Sequence, residues 1–194
     1  HEIISVEING NTIIADEGPR IPDVAKIKSL EPAFDIDGTI TAATSSPISI
    51  GAAAAIVISG NKASEFGINP KYKILSRAIA GVDWTRMGSG PLPATEKALD
   101  KAGLKINDIE TIELNEAFAS QSLAVIRELG LNEEIVNVNG GAIALGHPLG
   151  CTGGKLTVQL INEMKRRKQK YGMVTMCVGA GQGAAGVFEI LYKS

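Results

Sequence analysis

Two residues of this 194-residue chain stand out as acid–base candidates by their setting, His147 and Cys177, and a third, Asn115, as a polar support for them. His147 is the only internal histidine, and it lies in a stretch, residues 137–154, that holds six glycines. Glycine lacks Cβ and accepts positive φ, so a loop of this composition brings backbone close to a ligand. An imidazole in such a loop can serve as acid or base near neutral pH; a tight turn with a surface histidine is the structural alternative. Cys177 ends a β-like run and precedes Gly179-Ala-Gly-Gln-Gly183. A cysteine there is either a small buried hydrophobe or a thiol whose thiolate is stabilised by nearby amides. Asn115 follows another β-like run, where it can cap a helix or hold a water or carbonyl oxygen through its amide.

The elements that must position these groups can be read from periodicity and turn chemistry. Residues 2–8 and 12–15 flank Asn9-Gly10-Asn11, a hairpin signal. Residues 22–30 and 62–67 read as short helices. Residues 49–59 are small and aliphatic throughout and read as buried on all sides; a short helix running into a buried strand fits, though periodicity alone does not decide it. Strands are expected at 72–82, 109–114, 135–138, 173–178 and 186–192, and residues 88–93 read as a loop. Helices are expected at 94–102, with Gly103 as its C-cap, at 115–129, ended by Gly130, and at 152–168, with Leu156, Leu160 and Met164 as its apolar stripe. The alternation predicts an α/β domain with a mixed sheet covered by helices on its faces. Gly179-Ala-Gly-Gln-Gly-Ala-Ala-Gly186 is followed by a strand pattern rather than a helix, so it is read as a hairpin turn and not as a dinucleotide fingerprint.

Composition narrows the function classes. The hydrophobic content of 44% supports one substantial core, and 4% aromatics means a core of small aliphatics. The net charge of −2 gives no reason to expect a nucleic-acid partner. The basic run Lys165-Arg-Arg-Lys168 falls at a helix C-terminus, where cations complement the helix dipole. Two cysteines and one internal histidine make neither a disulfide framework nor a zinc site. No run spans a bilayer, so no membrane partner is expected. A reducing, cytoplasmic setting is expected, with mitochondrial and peroxisomal locations left open.

In order along the chain, Asn115-Glu-Ala-Phe118, Gly146-His147-Pro148 and Cys177-Val-Gly-Ala-Gly181 resemble the thiolases, the acyl-CoA C-acyltransferases. Asp16-Glu-Gly-Pro-Arg20, Pro32-Ala-Phe34, Gly38-Thr-Ile-Thr-Ala42 with Ser45-Ser46, and Gly90-Pro-Leu-Pro-Ala94 fit the same order. The resemblance covers essentially the whole chain. It implies a thiolase-type half: residues 1–34 as the end of a loop region and linker, residues 35–194 as a C-terminal thiolase domain, and an absent N-terminal half bearing the nucleophilic cysteine. It implies Claisen condensation of acetyl-CoA or thiolysis of 3-ketoacyl-CoA, with no cofactor, and a chain inactive without that nucleophile.

The resemblance also implies roles. His147 takes the nucleophile's proton. Cys177 is the second acid/base at the substrate α-carbon. Asn115 holds a water that forms one oxyanion hole with His147, and the Gly179 N–H contributes to another. Ser46 contacts the pantetheine arm, and Phe118 and Leu149 line the acyl and pantetheine tunnel. The implied partners are acyl-CoA or CoA, the absent half and further copies in a homo-oligomer. Pro47 and Ile50 stand where the family pattern has a glycine and an acid, which bears on the CoA contacts more than on the chemistry. Cys151 is read as a packing residue near the site. A non-catalytic CoA-thioester-binding or scaffolding subunit is the competing reading. A ketoacyl synthase, which uses His and His or His and Asn, fits less well because of Cys177. Self-association of the isolated chain is expected, through an exposed apolar face.

Overall fold

A computed structural model describes residues 3–191; Glu2 and Tyr192, placed by the sequence pattern in the first and last strands, lie outside the described residues. The chain opens with a hairpin of β1 (Val6–Ile8) and β2 (Asn11–Ile13), followed by α1 (Val24–Lys28) and α2 (Gly60–Glu65). Asn9 and Gly10 take φ of 50° and 80°, the two positive values that a primed hairpin turn requires. Then come β3 (Tyr72–Gly81), α3 (Pro91–Ala102), β4 (Thr111–Leu114), α4 (Ala119–Leu129), α5 (Ala142–Leu145), α6 (Thr152–Arg167), β5 (Tyr171–Val178) and β6 (Gln182–Ile190).

The main sheet has the order β3-β6-β5-β4, with β4 parallel to β5 and the other pairs antiparallel. This is the mixed sheet that the alternation predicts. Side chains alternate along its inner strands. Met173 and Val187 join Ala94, Ala98, Leu99, Ile112, Leu114 and Val125 in a core under α3 and α4. Their neighbours Val174 and Phe188 face the other way, against Leu156, Leu160 and Met164 of α6. The α6 stripe is the one read from spacing, and Gly103 and Gly130 close α3 and α4 in left-handed conformation. The β5–β6 turn bears Ala180 and Gly181 at φ 62° and 77°. A Cβ on Gly181 would lie 2.9 Å from the Trp84 backbone, so that position has no room for a side chain.

Four readings need correction. Residues 49–59 form neither helix nor strand, and Ile50, Ile56 and Val57 are exposed. Hydrophobicity there reports a tendency to be covered, but most of this segment is exposed, and it meets the glycine-rich loop and α6 at Ser49 against Gly146, Gly51 against Pro148 and Ala53 against Gly154. The helix expected from residue 115 begins at Ala119. Asn115 continues the sheet instead, donating its N–H to Thr175 O at 3.0 Å, so it is not a helix cap. The strand expected at 135–138 shrinks to a single bridge between Ile112 and Val136 after a 3₁₀ turn, Glu133–Ile135. Asn137, at φ 47°, bends the chain away, and its side chain takes both backbone groups of Leu114. Residues 88–93 are not a loop: a 3₁₀ turn, Trp84–Ser89, leads into α3, whose first turn begins at Pro91. Proline suits that place because its missing N–H would have no helical partner.

Candidate active site

The parallel pairing of β4 and β5 decides where the site lies. Leu114 pairs with Thr175, so Asn115 and Cys177 emerge at the same edge, at the C-terminal ends of adjacent strands. The glycine-rich loop delivers His147 to this edge from the other side. Asn115 Nδ2 lies 3.3 Å from His147 Nε2. On the far side of the ring, Nδ1 is 2.7 Å from Thr152 Oγ1, and that hydroxyl donates to Pro148 O at 3.0 Å. A threonine has one hydroxyl proton. With that proton on the Pro148 carbonyl, Nδ1–H donates to Thr152 and Nε2 carries the lone pair, which accepts from Asn115. This arrangement fixes the tautomer by its partners.

The loop is held in place by polar ties. Asn137 accepts the Leu114 N–H and donates to Leu114 O, both at 2.8 Å, and donates to Glu116 Oε1 at 3.1 Å. The other Glu116 oxygen accepts the Ile143 N–H at 3.1 Å, in the first turn of α5. Gly146 follows α5 at φ 88°, with Ser49 in the space a side chain would need. His147 N–H donates to Pro47 O at 3.2 Å, and Lys155 Nζ donates to Gly146 O at 2.9 Å.

Burial and charge set the protonation states. The His147 imidazole titrates below its ordinary value, first because burial disfavours the cation and second because Lys155 is nearby. The Cys177 thiol is 6% exposed, and burial pushes its pKa up, only partly offset by a backbone hydrogen bond. At neutral pH the edge therefore presents a neutral imidazole and a protonated thiol. Asn115 Oδ1 is fully buried without a hydrogen-bond partner among the described residues. Among the described residues no cluster of three or more His, Cys, Asp or Glu side chains is placed to hold a metal ion. No helix among them is long and apolar enough to cross a membrane.

The remaining candidates fall in two groups. Ser46 is tied to the site-bearing strand end: its N–H and hydroxyl both donate to Ala117 O, at 3.0 and 3.2 Å. Phe118 bridges to Ser45 and packs edge-on against Phe34, with ring centroids 5.9 Å apart. Gly179 lies exposed in the β5–β6 turn with open space where a Cβ would stand. Leu149 is 70% exposed, beyond the hydrogen-bonded set. The sequence reading missed Thr152, Glu116, Asn137 and Lys155. Their signals were faint: Glu116 adjoins Asn115 in the motif, Asn137 opens the glycine stretch, and Thr152 and Lys155 are three apart on α6, which puts them on one helix face.

The chain matches the family model described as thiolase, C-terminal domain over residues 68–190, and the one described as thiolase, N-terminal domain over residues 1–61. The 3-ketoacyl-CoA thiolase of Bacillus subtilis (strain 168) is 58% identical over 176 residues, covering 90% of this chain and 45% of that relative. The 3-ketoacyl-CoA thiolase of Acinetobacter baylyi is 50% identical over 198 residues, covering 97% and 51%. Among solved structures, the Bacillus anthracis acetyl-CoA acetyltransferase matches with a TM-score of 0.91 at 43% identity, over 97% of this chain and 49% of that one. Human mitochondrial 3-ketoacyl-CoA thiolase in complex with CoA matches with a TM-score of 0.88 at 37% identity, over 96% and 48%. This chain thus spans about half the length of the curated relatives it matches.

Proposed function

The chain belongs to the thiolase family, and from that premise we propose that it supplies the acid–base side of an acyl-transfer site for CoA thioesters. The observation that carries this reading is the hydrogen-bonded row Asn115–His147–Thr152–Pro148, which leaves an oriented, neutral imidazole beside the strand end bearing Cys177.

The nucleophile is a cysteine thiol from outside these 194 residues, carried by the thiolase half that pairs with this one. Neither Cys177, buried and kept protonated, nor Cys151, in the glycine-rich loop, lies in the sequence setting of the family's nucleophile. When the Asn115 amide releases it, His147 Nε2 accepts that thiol's proton, giving the thiolate that attacks the keto carbon of a 3-ketoacyl-CoA. The bond between the α- and β-carbons breaks, and its electron pair leaves as the acetyl-CoA enolate. Cys177 Sγ–H protonates that carbanion. In condensation the same thiol, as thiolate, removes the α-proton. A thiol whose pKa is raised by burial keeps its proton at neutral pH, so the proton is in place for the first direction, and its thiolate is a strong base in the second.

Asn115 Oδ1 accepts one hydrogen of a water, whose other hydrogen, with the imidazolium Nε2–H, stabilises the enolate oxygen. The Gly179 N–H serves the oxyanion of the acyl carbon. No metal or redox cofactor is required, because the thioester carbonyl acidifies the α-carbon. Ser46, Phe118 and Leu149 contact the pantetheine and acyl portions of the substrate. The assembled enzyme is a homo-oligomer.

The test joins this chain to the N-terminal half of the Bacillus subtilis relative and measures acetoacetyl-CoA thiolysis. Activity is expected in the joined protein, with a loss of about 10²–10⁴-fold in Cys177→Ala or His147→Gln. Near wild-type turnover in a folded Cys177→Ala protein would remove the role given to that thiol.

A further inference from the structure

Lys155 stands one turn into α6, half-buried beneath the loop that carries His147. Its ammonium donates to the carbonyl of Gly146, the residue immediately before the histidine, at 2.9 Å. The same peptide's N–H, on His147, donates to Pro47 O at 3.2 Å, so Lys155 holds the other end of a peptide that follows Gly146 at φ 88°. The groups acting on Lys155 come from three further places. Asp16 belongs to the N-terminal segment, Glu113 and Glu116 to β4 and its extension, and Cys151 to the glycine-rich loop. Glu113 is completely buried and Glu116 half-buried. Burial pushes the Lys155 pKa down, and Asp16, Glu113 and Glu116 offset part of that cost of keeping an ammonium half-buried next to an imidazole, an arrangement that a solvated surface lysine does not need.

We propose that Lys155 is a positioning residue for His147: it clamps the Gly146 carbonyl, and with it the backbone bearing the ring, and holds a fixed positive charge beside the imidazole that favours the neutral base. The proposal rests on the acid–base role given to His147 above. Two consequences follow for the reaction. The imidazole is unprotonated before the nucleophile arrives, and the imidazolium formed afterwards is a stronger acid, ready to return its proton. Asp16 in the same charge group ties the N-terminal segment into this control, alongside the packing of Gly18 against Ala144.

The test follows the imidazole by NMR titration of this chain. The second histidine, His1, is told apart by the loss of the other signal in His147→Gln. In Lys155→Met the His147 titration moves to higher pH, because the cation is gone and the carboxylates around it are no longer offset. In Lys155→Arg, which keeps the charge, it returns toward the wild-type position. An unmoved titration in folded Lys155→Met, or equal shifts in both variants, would overturn the proposal. Should Lys155→Met fail to fold, the unmodified chain still decides: the Lys155 Nζ resonance must shift through the pH range in which His147 titrates, and a Nζ signal silent there refutes the link. None of these readouts needs catalysis. A joined enzyme that shows no acyl transfer while Lys155 and His147 titrate as linked would defeat only the proposed function.

Discussion

Two stretches of this molecule are stabilised in different ways. From β3 onward, a four-stranded sheet is packed on one face by α3 and α4 and on the other by α6, with Ile112, Leu114, Leu160, Met164 and Met173 fully buried. Among the described residues from 3 to 61 none is buried, and Gly18, Ser46 and Ser49 are among those half-covered where this stretch meets the site-bearing loop and strand end. Gly18 rests on Ala144, Ser46 on Ala117, and Pro47 on His147. The second half is held by its own core. The first half is shaped by a few polar ties to the loop and strand ends that it covers, so its conformation depends on the site rather than the reverse.

The largest expected contrast between the two stretches is in core truncation. Ile112→Ala should cost about 2–5 kcal/mol in denaturant unfolding, while Ile56→Ala in the exposed stretch should stay within about 0.5 kcal/mol. Equal losses would mean that residues 49–59 share the core. Next comes the carboxylate of Glu163, whose side chain is 3% exposed and accepts from Arg166, Asn139 and Arg167. These partners lower its pKa to about 2, with the Arg166 hydrogen bond the largest cause. A lowered folded-state value stabilises the fold above the ordinary carboxylate pKa, and that contribution fades as pH falls from about 4.5 toward about 2. Glu163→Gln should lose about 1.5–3 kcal/mol at neutral pH and flatten the acid limb of stability against pH. An unchanged acid limb would refute the pairing.

Gly146→Ala should cost about 1–2 kcal/mol, since φ 88° is strained for a residue with a Cβ. It should also displace Ser49 and shift the His147 NMR signals, whereas Gly10→Ala, at φ 80° but with open space, should leave the imidazole untouched. The smallest effect is expected from removing residues 1–14: the unfolding midpoint of the remainder should be unchanged within error, because the hairpin buries no residue that is described.

The same contrast explains what the sequence disclosed. Elements with a core of their own were legible, because burial imposes a period: the stripe Leu156, Leu160, Met164 named α6, and the terminal strand pair followed from the turn between Cys177 and Gly186. Residues 49–59 were misread because apolar composition without a period does not say whether anything covers it. The start of α4 was misread because Asn115 is claimed by a hydrogen bond to Thr175 on a distant strand, which no local propensity records. In the site, the motifs pointed to Asn115, His147 and Cys177, and the structure links the first two directly. Thr152, which meets the ring directly, and Lys155, which holds the Gly146 carbonyl before it, were not read, because the fold of the glycine-rich loop onto α6 that creates these contacts is not placed by the sequence alone.

The parallel register of β4 and β5 sets a rule for anyone who would re-engineer this protein. The turn ahead of β4, at the exposed Asn107 and Asp108, can be lengthened or redrawn, since it does not fix where Asn115 stands relative to Cys177. A single insertion or deletion within residues 111–115 is another matter. Strand side chains alternate faces, so a slip of one residue turns the asparagine away from the histidine while leaving the outline of the domain intact. The tolerant and intolerant positions lie within a few residues of each other, and a library that ignores that boundary will be filled with well-folded, inert molecules.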